Sequence, residues 1–304
     1  MPKLAIVIPV FNDEKCIVKL ITEIQRIKFD HDVNLIIVDD CSTQSVSSTI
    51  DKLKLKNFRS VFCLELPCNM GHQFAIYKGL KKSLDLESDY TVVMDSDGED
   101  LPNNILALLQ KSIVTGQITV ASRGRRYESY RFKIFYFFYQ LFFRLFTGKK
   151  LNFGNFSVLP LDKVKNICST STLSIHFSAT ILKSKLNYNV LKIDRGKRYF
   201  GSSKMNLTSL VFHGLKGLSV FSSSVISRLL IFSTFFIVVL VLTIFGILIM
   251  KFTGNASPGW ASNLITALFI ICFQICSLSF ISILSIPYLR SSKEKSVVDK
   301  TIKN

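Results

Sequence analysis

Leu4–Ile8 is an unbroken apolar run, rich in branched residues, that stops at Pro9-Val10-Phe11-Asn12-Asp13. A short run of this kind bounded by turn residues predicts a strand buried on both faces. The period then changes. Within Glu14–Ile27, Ile17, Leu20, Ile21, Ile24 and Ile27 recur at helical spacing. Leu35–Val38 repeats the strand pattern and ends in Asp39-Asp40-Cys41-Ser42. Ser47–Leu55 predicts a helix, Val61–Leu66 a short strand and Gly71–Leu84 another helix. Thr91–Met94 and Ile118–Ala121 predict two more strands. Strands alternating with helices predict an α/β fold with a mainly parallel sheet covered on both faces.

Ligands of such folds bind beyond the carboxyl ends of the strands. Three of those ends carry acids or turn residues: Pro9 to Asp13, Asp39-Asp40, and Asp95-Ser96-Asp97. One cleft collecting all three is the economical reading. Two carboxylates one residue apart can hold Mg²⁺ or Mn²⁺ against a diphosphate, because these ions prefer oxygen ligands and share them with substrate phosphates. Alone, the pair reads more readily as a solvated acidic turn, and the neighbouring strand ends are what shift the reading. No Gly-x-Gly-x-x-Gly and no Walker loop occurs, so an ordinary dinucleotide or P-loop site is not indicated.

Leu229–Met250 is 22 residues without a charge, and Phe252–Leu289 is uncharged as well. A bilayer core needs about 20 apolar residues per helix, so both stretches are long enough to span. Two buried core helices are the alternative. Lys251–Asn263, with Gly254, Pro258, Gly259 and Trp260, reads as a turn, giving a hairpin. Arg228 precedes it, and Arg290, Lys293, Lys295, Lys300 and Lys303 follow. Positive flanks stay cytoplasmic. The expected organisation is therefore a cytoplasmic α/β domain over 1–205, a juxtamembrane amphipathic helix over 206–224, membrane helices near 228–250 and 264–289, and a basic cytoplasmic tail over 291–304.

Tyr130–Phe146 holds ten aromatic residues in seventeen, with Lys133, Gln140 and Arg144 on a narrow stripe. Such a helix suits the membrane interface; a buried core helix is the other reading.

The formal charge of +17 raises the question of a polyanionic partner. One basic cluster holds Arg123, Arg125, Arg126, Arg131 and Lys133; another holds Lys192, Arg195, Lys197, Arg198 and Lys204. Both adjoin aromatic or membrane segments. Arginine forks suit phosphate oxygens, and membrane lipid headgroups are a second sink. No nucleic-acid motif accompanies them. The seven cysteines form no Cys-x-x-Cys pair and fit a reducing cytosol without a catalytic role. His72 opens a helix, where it can cap, pack or touch substrate. His176 and His213 read as structural or interfacial, and zinc spacing is absent.

Together, Ile8-Pro9-Val10-Phe11-Asn12-Asp13-Glu14, Val38-Asp39-Asp40-Cys41-Ser42, Asn69-Met70-Gly71-His72-Gln73 and Asp95-Ser96-Asp97 resemble the family 2 glycosyltransferases of the GT-A fold. The aromatic helix, the two apolar helices and Arg198…Gly201-Ser202-Ser203-Lys204 narrow the resemblance to the polyprenyl-phosphate glycosyltransferases, the group that includes dolichol-phosphate mannose synthase. It implies an inverting, metal-dependent transferase using a UDP- or GDP-type sugar donor, Mg²⁺ or Mn²⁺, and a polyprenyl phosphate acceptor in cell-envelope glycan synthesis. Pro9, Phe11, Asp13, Asp39, Asp40 and Asp95 would line the nucleotide-sugar pocket. Asp95 and Asp97 would be catalytic, and Asp97 and Glu99 would hold the metal. Arg123, Arg125, Arg131, Arg198 and Lys204 would meet phosphates of donor or acceptor.

The departures lie on the acceptor side. Relatives often read Asp-x-Gly-Asp-Phe-Arg where this chain has Asn152-Phe153-Gly154-Asn155-Phe156-Ser157, and Glu-Ser-Lys where it has Ser202-Ser203-Lys204. Transfer to a hydroxyl of a lipid-linked or surface glycan is therefore the rival, and a non-catalytic membrane scaffold is a second. The sequence is compatible with a homo-oligomer and specifies neither sugar nor base.

Overall fold

The computed structural model describes residues 1–123, 130–201, 207–253, 259–284 and 298–303. They divide into two compact units. The larger contains residues up to Leu141, Lys149–Val220 and the C-terminal strand.

Its centre is β1 (Lys3–Val10), buried without interruption from Leu4 to Val10. β2 (Asp32–Asp39) pairs with it in parallel, from Lys3 beside Asp32 to Val10 beside Asp39. On the other side β4 (Tyr90–Val93) is also parallel, with Val7 beside Val93. These registers bring the carboxyl ends of β1, β2 and β4 to one edge, as the sequence pattern predicts. β3 (Ser60–Glu65), β5 (Ile118–Arg123), β6 (Ser157–Pro160), β7 (Tyr188–Ile193) and β8 (Val298–Lys303) complete an eight-stranded sheet in the order β7-β5-β6-β4-β1-β2-β3-β8. Four of the seven pairings among the described strands are parallel.

The alternation of β1 divides its side chains between two faces. Leu4, Ile6, Ile8 and Val10 join Ile17, Leu20, Ile21 and Ile24 of α1 (Glu14–Ile24) in one core. Each fully buried Leu or Ile contributes roughly 1.5–3 kcal/mol. On the opposite face α3 (His72–Asp85) lies directly on the sheet. Gly79 permits this: a Cβ there would stand 2.2 Å from Val7 Cγ1 and 3.2 Å from Val38 Cγ2.

The sequence pattern gave no sign of β6, which has four residues and ends in Pro160, or of β7, a half-exposed edge strand. It also misses α4 (Asn104–Thr115), α6 (Leu161–Cys168) and α7 (Phe177–Lys183). The helix expected over Ser47–Leu55 shortens to α2 (Val46–Ile50). The stretch read as a tail contains β8, which pairs antiparallel along the outer edge of β3. An open strand edge exposes unpaired backbone groups, and β8 supplies partners for them.

Two amphipathic helices follow. α5 (Tyr130–Thr147) leaves Phe137, Phe138 and Leu141 half-exposed or more, so it is not a buried core helix. α8 (Leu207–Ser219) falls where the juxtamembrane helix is expected and exposes Phe212 and Leu215. The Tyr139 ring of α5 rests against Gly214 of α8.

The smaller unit holds Phe142–Gly148, α9 (Ser222–Phe252) and α10 (Trp260–Leu284). Phe143 is fully buried, edge-on to Phe221 at 5.7 Å between ring centroids. The Arg228 guanidinium donates to the carbonyl of Leu145, capping the C-terminal end of α5 with a cation. α9 is 31 residues long with a mean hydropathy of 2.8 in its most apolar window, long and apolar enough to cross a membrane. α10 packs beside it and has a shorter apolar run, Ser262–Leu278. Gly254, Pro258, Arg290, Lys293 and Lys295, which the hairpin and orientation readings use, lie outside the described residues.

Candidate active site

The loops after β1 and β2 are tied to each other before they meet any ligand. Asp40 N donates to Val10 O at 2.8 Å. Asn12, with φ of +50°, turns the chain out of β1, and its Oδ1 accepts from Thr43 N at 2.8 Å. Asp39 is buried and accepts from Ser42 N at 2.9 Å. Burial raises its pKa, while the Ser42 bonds pull the other way. Pro9 is buried inside β1, whereas Phe11 beyond the strand end is 40% exposed.

Asp40 is committed elsewhere. One carboxylate oxygen accepts from Met70 N at 2.7 Å and the other from Gly71 N at 2.9 Å. Its charge thus anchors the N-terminal end of α3, where a carboxylate is electrostatically favoured.

β4 delivers the acidic loop. Asp95 N donates to Asp100 Oδ2 at 3.0 Å, and Glu99 N donates to Asp97 Oδ1 at 3.0 Å. Two arginines from the segment after β7 cover this loop. Arg198 Nη1 donates to Asp97 Oδ2 at 3.1 Å, and Arg198 Nη2 donates to Asp13. Arg195 pairs with Glu99. Burial, and then the charge of Asp95, push Asp97 up to about 6; Arg198 and Arg195 pull against both. Burial beside Asp95 thus disfavours the charged form of Asp97, and the two arginines offset part of that cost.

His72, at the start of α3, faces Asp95. Its Nε2 lies 3.1 Å from Asp95 Oδ1 and 3.0 Å from Asn155 Nδ2. Burial alone would lower its pKa, but Asp95, Asp40 and Asp100 raise it on balance. Asn155 Nδ2 also reaches Asp95 Oδ1 at 3.3 Å, and its Oδ1 accepts from Gln73 Nε2 at 3.4 Å. Ser157 is fully buried and donates to Asn155 O at 2.9 Å, so it supports the loop rather than facing the cleft.

The structure thus brings Asp13, Asp95, Asp97, Glu99 and Arg198 together. Arg123 ends β5 and Arg131 lies in the first turn of α5, but their side chains are outside the described set, as are Arg125 and Lys204 altogether. Arg195, Asn155 and His72 join the site although none was among the predicted ligands. Arg195 and Arg198, three residues apart in one basic cluster, were the available signal for the first.

Among the described residues no group of three His, Cys, Asp or Glu side chains forms a metal cluster. The donor set nevertheless suits a hard cation: Asp95 and Asp97 offer carboxylate oxygens, and a cation beside them would favour the charged form of Asp97 that burial and Asp95 disfavour. Such ions commonly bind one or two carboxylates and take their remaining ligands from substrate phosphates and water.

Residues 5–166 match the model of the glycosyl transferase family 2 domain. The chain belongs to glycosyl transferase family 2. It is 25% identical over 314 residues to the prophage bactoprenol glucosyl transferase homolog of Escherichia coli K12, covering 99% of both chains. It is 26% identical over 227 residues to the bactoprenol glucosyl transferase of Shigella phage SfV, covering 73% of this chain and 72% of that one. The fold of this family 2 glycosyltransferase is similar to that of glucosyl-3-phosphoglycerate synthase from Mycobacterium tuberculosis, solved with Mn²⁺, UDP-glucose and phosphoglyceric acid. The TM-score is 0.52 at 15% identity, covering 74% of this chain and 80% of that one. At that identity the likeness establishes the GT-A fold alone.

Proposed function

We propose that this enzyme moves a sugar from a UDP- or GDP-type sugar nucleotide to a polyprenyl phosphate at a membrane surface. The observation that carries the reading is the convergence of Asp13, Asp97 and Arg198 at the edge where β1 and β4 end. The end-to-end similarity to a bactoprenol glucosyl transferase homolog supports the acceptor class.

In this reading Phe11, Asp13 and Asp39 contact the nucleotide, with Pro9 shaping the strand end. Asp95 and Asp97 would hold Mg²⁺ or Mn²⁺, with Glu99 available once Arg195 moves aside. When bound, the cation neutralises the leaving diphosphate. Arg198 moves from the carboxylates to the diphosphate oxygens, where its fork matches their geometry. An acceptor phosphate oxygen displaces the diphosphate from the anomeric carbon in one step. One C–O bond forms as the other breaks, and the configuration inverts. The acceptor is already anionic and needs no strong base. The enzyme's contribution is to align the reactants and to stabilise the departing charge.

The membrane part of the reading rests on α9, on the apolar run of α10 and on the exposed aromatic face of α5. The chain leaves the larger unit at Val220 and rejoins it as β8. If α9 crosses the bilayer, α10 must cross back. Basic flanks then put the catalytic unit on the cytoplasmic face of the plasma membrane.

Ser157, buried where relatives often carry an arginine, favours transfer to a glycan hydroxyl as the second reading. Membranes incubated with labelled sugar nucleotides and extracted for lipid separate the two. A mild-acid-labile polyprenyl product bearing one sugar supports the proposal. Label found only in larger glycans supports the hydroxyl acceptor.

A further inference from the structure

Arg198 is a long side chain whose direction decides which phosphates or carboxylates it can meet. The segment that carries it, 194–198, has no regular secondary structure. Something other than a helix or strand must therefore aim it. We propose that Tyr199 is the positioning residue that holds Arg198 across Asp13 and Asp97. The consequence for donor binding rests on the reading given above.

The segment is latched to the acidic loop at two backbone points. Gly196 N donates to Glu99 O at 2.9 Å, and Tyr199 N donates to Asp97 O at 3.0 Å. Gly98 lies between those two carbonyls and is where the Tyr199 ring meets the loop. Its φ is +86°, and a Cβ there would stand 2.3 Å from Tyr199 Cε2. The tyrosine ring therefore lies directly on the backbone of residue 98, in a contact that only glycine permits.

The far end of Tyr199 is fixed to a different element. Its hydroxyl donates to Glu23 on α1. Lys19, one helical turn earlier, places its Nζ 4.4 Å from the ring centroid. Burial and the Glu23 bond raise the pKa of the phenol, so it stays a donor. Tyr199 thus spans the acidic loop and α1, and α1 itself is set by the buried core under β1. Arg198 is held on both sides. Its Nε donates to Phe200 O at 2.9 Å while its two outer nitrogens take Asp97 and Asp13. A ring that merely filled core space would need neither the Glu23 bond nor a glycine beneath it.

The test uses the full chain purified in detergent, with two readouts: hydrogen exchange over 95–100 and 195–201, and equilibrium binding of UDP and of GDP with Mn²⁺. Tyr199→Ala should speed exchange in these two segments alone and weaken the preferred nucleotide about tenfold, as expected for a misaimed ligand group. Gly98→Ala should do the same. Their effects should not add in the double variant, because each breaks the same contact. Tyr199→Phe keeps the ring on Gly98 and loses only the Glu23 bond, so it should fall between wild type and Tyr199→Ala. Wild-type exchange and binding in Tyr199→Ala would overturn the proposal. So would exchange raised throughout the larger unit, which marks a general packing role. If the wild type binds neither nucleotide, the donor reading fails, and local exchange still decides whether Tyr199 holds this segment.

Discussion

Asp97 and Arg198 are 101 residues apart in the chain and 3.1 Å apart in the fold. The pair closes a cleft whose other acids are Asp13, Asp95 and Glu99. An arginine in this position can neutralise the cleft before a donor arrives and grip a diphosphate afterwards.

The same pair predicts a conflict between stability and activity. Asp97 has a folded pKa of about 6, raised above its unfolded value. The folded state binds this proton more tightly, so the group's contribution to stability is present at low pH and is lost as pH rises through 6. Asp97→Asn should therefore leave the donor-free protein as stable as wild type at pH 7.5, or more stable by about 1 kcal/mol. It should lower turnover at least about 100-fold. Thermal denaturation and nucleoside diphosphate release measure the two effects.

His176 predicts the opposite pH response. It caps α7, accepting from Ala179 N at 3.3 Å, and its ring lies 4.4 Å from that of His213. Burial and then His213 hold it down to about 3; Lys216 and His72 act in the same direction. Its folded pKa is below the unfolded value, so the unfolded chain takes up the proton first. Stability should fall as pH drops from about 6.5 towards 3, by no more than about 5 kcal/mol from this residue. Urea denaturation at several pH values should show a weaker acid dependence in His176→Asn.

Gly79→Ala should destabilise the larger unit. The new methyl would meet Val7 Cγ1 at 2.2 Å in a fully buried interface between α3 and β1. Overpacking of this kind costs about 1–3 kcal/mol. Gly79→Ala combined with Val7→Ala should recover part of the loss in thermal melting.

Asp40→Asn should also act through structure. It replaces a carboxylate that accepts from two backbone amides with an amide that can accept through one oxygen only. A loss of about 1–2 kcal/mol is expected. Nucleotide affinity should change less than in Asp39→Asn, measured by direct binding.

The sheet's central strands were legible because each is a short, unbroken apolar run, and the acids at their ends follow directly. The GT-A resemblance rested on those same residues together with Asn69–Gln73. β6 and β7 were not legible: one is four residues long and the other is half-exposed, so neither has the pattern of a buried strand. Asp40 and Asp39 looked equivalent as neighbours, but adjacent strand-end residues can serve different partners, and only the fold brings Met70 and Gly71 to Asp40. Tyr199 carried no signal at all. Its significance depends on Gly98 and Glu23, which are distant in sequence.

The most direct measurement is release of nucleoside diphosphate by the purified enzyme in lipid nanodiscs, supplied with sugar nucleotides and Mn²⁺, with and without a polyprenyl phosphate. The account predicts release that requires the polyprenyl phosphate, matches the formation of glycosylated lipid mole for mole, and stops in EDTA or in Asp97→Asn. Release at the same rate without the acceptor lipid, or in EDTA, would contradict it.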